Sequence, residues 1–219
     1  MIVFTPNTVI KSTEVNANFT GLKDGTDIDS SAITTAKIAN DAVTAAKIDW
    51  ASTGANGGIW WEELGRTTLS VAGDTISVTG IPAREYLLII ANTFATGGTI
   101  NNYLRFNNDS GNNYATRFSD DGAADATSTS SSQPSIMAST ASTMGYATLT
   151  VLNEATREKL VSVISTRNTA GAATAPGVRR EGWIKWANTT DQINRVDVLN
   201  IGGTGDYAIG SEVVVLGHN

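Results

Sequence analysis

The sequence predicts a mainly β protein: a short N-terminal anchor, helical or extended, then a two-repeat stalk, then a C-terminal antiparallel β-sandwich. Three observations predict it. After residue 58, runs rich in Val, Ile, Thr, Tyr and Trp alternate with Gly-, Asn- and Asp-rich clusters, the pattern of many short strands joined by turns. Before residue 50 the text is rich in Ala, Thr and Ile and contains a ten-residue repeat. Between the two, residues 51–58 (Ala-Ser-Thr-Gly-Ala-Asn-Gly-Gly) hold nothing apolar beyond alanine and read as a flexible connector. The expected divisions are therefore 1–25 (attachment segment), 26–50 (repeat stalk), 51–58 (linker) and 59–219 (β knob).

In the first segment Ser12 or Thr13 can cap a short helix whose apolar residues Val15, Phe19 and Leu22 recur at helical spacing, with Gly21 and Gly25 stopping it. Phe4, Val9, Ile10, Val15 and Phe19 are too few to build a core, so they are expected to be buried on a partner. In the stalk, Ala32–Asp41 aligns with Ala42–Ala51, and the aliphatics Ile28, Ile33, Ile38, Val43 and Ile48 fall five residues apart. Five residues advance an α-helical face by about 140°, and odd spacing alternates sides of a strand, so neither regular element lines them up. A helical turn capped by Thr34 or Thr44, followed by a bend at Asn40-Asp41, returns them to one side. Such a ladder finds burial only when several chains wind about a common axis; a solvated linker is the other reading.

Ten strands are expected in the last segment: 67–71, 75–78, 86–92, 103–107, 114–119, 146–152, 160–166, 181–186, 195–200 and 212–216. Alternation such as Trp183 and Lys185 against Ile184 and Trp186 gives each sheet one buried face. Residues 120–133, rich in Ser, Ala and Thr, read as a long polar surface loop.

Composition narrows the chemistry. Only 16% of the 219 residues are charged and the net charge is −6, so the basic stripe that nucleic-acid binding requires is missing. There is no cysteine, and the single histidine is His218, which excludes disulfides, thiolate zinc sites and an internal Ser-His-Asp triad. No run of about 20 apolar residues suggests membrane insertion, and the N-terminus lacks a signal-peptide pattern. Catalysis would rest on carboxylates, and Asp120, Asp121, Asp125, Glu154 and Glu158 sit in polar loop text where nothing marks one as an acid catalyst. No enzymatic activity, cofactor or metal is expected. Asn107–Asn113 crowds oxygen ligands but lacks the bidentate glutamate of a calcium loop and reads as a hairpin turn. Tyr103, Tyr114, Trp183 and Trp186 lie in strands near Asn-rich turns and are the candidate ligand-binding residues, since a flat ring stacks on the apolar face of a sugar; core packing is the competing reading of each. Trp60-Trp61 reads as a packing plug.

The opening Phe4-Thr5-Pro6-Asn7-Thr8-Val9-Ile10, followed by Glu14-Val15-Asn16-Ala17-Asn18-Phe19, resembles the N-terminal segments of tailed-phage fibre proteins. The Thr-Ala-Lys-Ile repeat resembles their decapeptide stalk repeats. The ending Asp206–Gly217 is similar to the last strand of jelly-roll knobs on phage fibres and capsid decoration proteins, and Trp61–Arg66 is a weaker match. The resemblance covers roughly the first 50 and last 20 residues, and the stalk, with two repeats, is shorter than those of long tail fibres. It implies a homotrimer in the virion, assembled in the host cytoplasm. The N-terminus would be held by capsid, neck or baseplate proteins, and the knob displayed toward a host-surface glycan. A capsid decoration, cement or head-fibre protein without receptor specificity is the alternative.

Overall fold

The computed structural model describes residues 61–137, 143–168, 173 and 176–219, together with Ser12, Thr13 and Asn16. The chain divides into two units, Met1–Trp50 and Ala51–Asn219, and nearly all described residues belong to the second. They form twelve strands: β1 (Glu62–Thr68), β2 (Thr75–Thr79), β3 (Tyr86–Thr96), β4 (Tyr103–Phe106), β5 (Tyr114–Asp120), β6 (Ala126–Ser131), β7 (Met144–Leu152), β8 (Lys159–Arg167), β9 (Val178–Trp186), β10 (Arg195–Leu199), β11 (Asp206–Tyr207) and β12 (Glu212–His218).

The expected helical anchor is corrected here: every element among the described residues is a strand. Ser12, Thr13 and Asn16 have helical backbone and are exposed, but three scattered residues make no element. Three apolar residues at helical spacing do not suffice, because a helix shorter than about 12 residues is marginal in water without a surface to pack on, whatever its periodicity. The attachment residues Phe4, Val9, Ile10, Val15 and Phe19, and the ladder Ile28, Ile33, Ile38, Val43 and Ile48, lie outside the described residues.

Two antiparallel sheets result. The larger has nine strands in the order β1-β12-β3-β7-β8-β9-β5-β6, with β11 paired to β3; the smaller runs β2-β10-β4. Strict two-residue alternation builds the core. Leu87, Ile89 and Ala91 of β3, Ala147, Leu149 and Val151 of β7, and Val161 and Val163 of β8 turn to the same side of the large sheet. They share one buried cluster with Ile76, Val78, Leu104, Phe106, Val196 and Val198 of the small sheet. Each fully buried aliphatic contributes about 1.5–3 kcal/mol, so the two sheets hold each other by this shared face.

Two strands were not foreseen. β6 lies inside the stretch read as a polar loop; it is an edge strand held by β5 alone, and five of its six residues are exposed, so it carries no apolar alternation to read. β11 is only two residues long. β8 also starts a residue earlier than expected, on Lys159. That side chain is fully buried, its Nζ donating to the carbonyls of Arg157 at 2.6 Å and Asn188 at 3.0 Å.

Candidate functional site

Of the four aromatic residues singled out by sequence, the structure places two in the core. Tyr114 and Trp186 are 1% exposed and stack on each other with ring centroids 6.2 Å apart. Tyr103 is half-buried on β4 in the smaller sheet. Trp183 alone faces solvent, 62% exposed, on the outward side of β9. The difference follows from register: Ile184 and Trp186 occupy the inward positions of the strand, which leaves Trp183 and Lys185 outward.

The Asn107–Asn113 segment, expected as a hairpin turn, instead carries the chain from β4 of the small sheet to β5 of the large one, two strands that do not pair with each other. Asn107 and Asn108 both take positive φ (48° and 57°), a conformation asparagine tolerates better than most residues. Asp109 spends its carboxylate on protein donors: Trp186 Nε1 at 2.7 Å, the Gly111 amide at 2.9 Å and Asn113 Nδ2 at 2.9 Å. Burial pushes that carboxyl up, but the hydrogen bonds outweigh burial and hold it below the usual carboxylate range. Oxygen atoms so engaged are poor ligands for a cation, and no group of acidic or histidine side chains suited to a metal occurs among the described residues.

The five carboxylates considered for acid catalysis are each engaged as well. Asp120 receives Arg180, Asp125 receives Arg117, Glu154 receives Arg157 and Glu158 receives Lys185, while Asp121 accepts the Arg179 amide at 2.9 Å. Hydrogen bonds from Arg180 hold the Asp120 carboxyl below its ordinary range, the opposite of what a general acid needs.

Trp183 belongs to a larger feature, a groove of about 820 Å3 on the outward side of the large sheet. Its size falls within the roughly 300–1,000 Å3 of ligand sites. Register explains the layout. One cross-sheet row runs Tyr86, Leu152, Leu160, Lys185, Ala115; the next runs Leu88, Thr150, Ser162, Trp183, Arg117, Thr127. Tyr86 and Trp183 thus stand three strands apart, about 14 Å along the sheet at a spacing of about 4.8 Å. Tyr86 is steadied by an edge-on contact with His218, and His218 by another with Trp61, at centroid distances of 6.5 and 6.3 Å. Between these aromatic ends the groove offers the hydroxyls of Thr150 and Ser162, with Thr127, Ser128 and Thr129 of β6 along one side.

Sequence reasoning did not bring Tyr86, His218, Trp61, Arg117 and Lys185 to this site. Alternation within a strand marks Tyr86 and Lys185 as outward once Leu87 and Ile184 are inward. Which outward residues become neighbours depends on the strand order, and β3 and β9 are nearly 100 residues apart. Compared with family models, curated proteins and solved structures, the chain finds no match in any of the three. The reading of the groove therefore rests on its own geometry.

Proposed function

We propose that the chain is a structural protein of a tailed-phage virion, a short homotrimeric fibre that uses its β unit to adhere to a host-surface glycan. The supporting observation is the groove: exposed aromatic side chains at Trp183 and Tyr86, with Leu152, Leu160, Thr150 and Ser162 between them, on the outward face of the large sheet. Stacking of a ring on the apolar face of a pyranose, with hydroxyls bonded beside it, is how a β surface recognises sugars without reacting with them. In this reading the acids are engaged in ion pairs and hydrogen bonds, the protein binds without catalysing, and no cofactor takes part. The N-terminal segment supplies attachment to other virion proteins, as its resemblance to fibre anchors implies.

The test is adhesion itself. Full-length protein labelled with a fluorophore is expected to decorate host cells, and Trp183→Ala to abolish decoration while leaving the thermal transition in place. Decoration unaffected by that substitution would remove the groove from the reading.

The alternative, a decoration or cement protein, is favoured by a second surface. At the other end of the same outward face, Met144, Tyr146 and Ile164 are about half exposed or more, an apolar cluster suited to a protein neighbour. Binding of the full chain to purified virions saturating at the copy number of a capsid subunit, with no cell decoration, would favour that alternative.

A further inference from the structure

The charged side chains that line the groove are basic although the chain is acidic, with the acids that pair them standing just outside the lining. The protein carries 21 acidic against 15 basic residues, yet the groove is lined by Arg117, Lys185 and His218 and by no aspartate or glutamate. The two cations also stand where a single ligand residue would meet both. Arg117 is directly across from Trp183 in the β5–β9 pairing, about 5 Å away, and Lys185 is two residues along β9 on the same face, about 7 Å away; Glu181, two residues the other way on that face, lies outside the groove lining and meets Arg179 at 3.6 Å.

Their present partners hold them weakly. Arg117 meets Asp125 at 3.2 Å and Lys185 meets Glu158 at 3.1 Å, with all four side chains more than 40% exposed. Exposed pairs of this kind contribute about 0–1 kcal/mol, so either cation can turn to an incoming anion at small cost.

Resting on the adhesion reading, we propose that the groove selects an acidic saccharide, a pyranose bearing a carboxylate. Trp183 stacks on the apolar face of the ring. Arg117 takes the carboxylate through its planar fork and Lys185 adds a point charge, while Ser162 and Thr150 bond hydroxyls of the same or the next sugar. A phosphate polymer would satisfy the cations but leave the exposed indole face uncovered. A neutral sugar would cover the indole and leave the cations unused. A carboxylated pyranose meets both in one residue.

The experiment measures binding of the full-length protein to three sets of probes. These are uronate- and sialate-containing oligosaccharides, the same oligosaccharides with the carboxyl converted to its methyl ester, and a glycerol-phosphate polymer. Host-cell decoration is followed in parallel. Binding of the acidic set is expected to fall by at least about tenfold on esterification, and by a similar factor in the double variant Arg117→Gln/Lys185→Gln, and to weaken with added salt. Trp183→Ala should abolish it. Circular dichroism of the variants separates lost binding from lost fold. Equal affinity for acids and esters, or a preference for the phosphate polymer, overturns the inference while leaving adhesion standing. Cell decoration without binding of any saccharide overturns the ligand class. Acid binding that survives both variants overturns the site. Absence of both decoration and saccharide binding defeats the adhesion reading itself.

Discussion

Asp120 and Arg180 show how a single ion pair fixes both shape and pH response. Arg180, almost fully buried, donates from Nε at 2.7 Å and Nη2 at 2.8 Å to the two oxygens of Asp120, reaches Ser135 Oγ at 3.1 Å, and lies 4.6 Å from the Phe118 ring. Those hydrogen bonds keep the Asp120 carboxyl below its unfolded value near 4. A depressed carboxyl stabilises the fold above the unfolded pKa, and the contribution drains as pH falls through the folded value. Asp120→Asn is therefore expected to cost about 1–2 kcal/mol at neutral pH, a figure kept low because Asp120 is more than a third exposed. Chemical denaturation repeated between pH 7 and pH 2 should show a flatter acid limb in the variant; parallel limbs would mean that the pair does not couple to folding. Gly182 is the other decisive residue. A Cβ there would collide with the Arg117 carbonyl oxygen and the Phe118 ring, both of the neighbouring strand. Gly182→Ala should destabilise by about 1–3 kcal/mol, lowering the thermal midpoint, and should push Arg117 away from Trp183 and so weaken groove binding too.

Among the elements, β3, β7 and β8 were legible because one face of each is apolar and the period is two, so Leu87-Ile89-Ala91 or Ala147-Leu149-Val151 announce both strand and orientation. The same alternation put Trp183 and Trp186 on opposite faces of β9, but which face was buried showed only once the core was known; from sequence both stood as candidates, and neither what buries Trp186 nor what stands beside Trp183 was legible. Neighbours across a sheet come from pairing between distant segments, and nothing local in the text around residue 183 names Tyr86. β6 was illegible for the complementary reason: a strand whose side chains meet mostly water leaves no pattern, and its evidence is backbone pairing alone. The helix at the N-terminus was read from three apolar residues at helical spacing, a signal too short to specify an element. The contrast between β6 and β8 carries a prediction about dynamics. With one partner strand and no buried face, β6 should open locally at low cost, whereas β8 sits between β7 and β9 with Val161 and Val163 in the core. Native-state hydrogen exchange is expected to give β6 amides protection far below that of β8. Equal protection would mean that the arm is pinned by contacts other than β5.

At the scale of the whole molecule, the described residues after 60 contain a core of their own, while by sequence the apolar residues before 26 are too few to build one. Among the described residues, every member of the buried apolar cluster lies between Ile76 and Val215, and both sheets draw their strands from that part of the chain or its immediate flanks. A fragment of residues 59–219 is accordingly expected to fold alone, with a single cooperative thermal transition; a broad, non-cooperative melt would show that the sheets need completion by another chain. By their spacing of five, Ile28, Ile33, Ile38, Val43 and Ile48 would be aligned by neither a helix nor a strand of one chain, and burial among identical copies is the arrangement to test. The ladder alone would fit two chains as well as three; on the resemblance to fibre proteins, the full chain is expected to sediment as three chains at micromolar concentration. Ile38→Asp combined with Ile48→Asp should loosen that assembly, because carboxylates would be placed without partners where the aliphatics meet. The fragment separates the two sources of association open to the protein. If 59–219 sediments as one chain while the full chain is a trimer, the ladder holds the assembly. If the fragment is itself a trimer, the outward cluster of Met144, Tyr146 and Ile164 is the place to look, and Ile164→Asp should dissociate it. A full-length protein that sediments as one chain would defeat the trimer and leave the ladder a solvated linker.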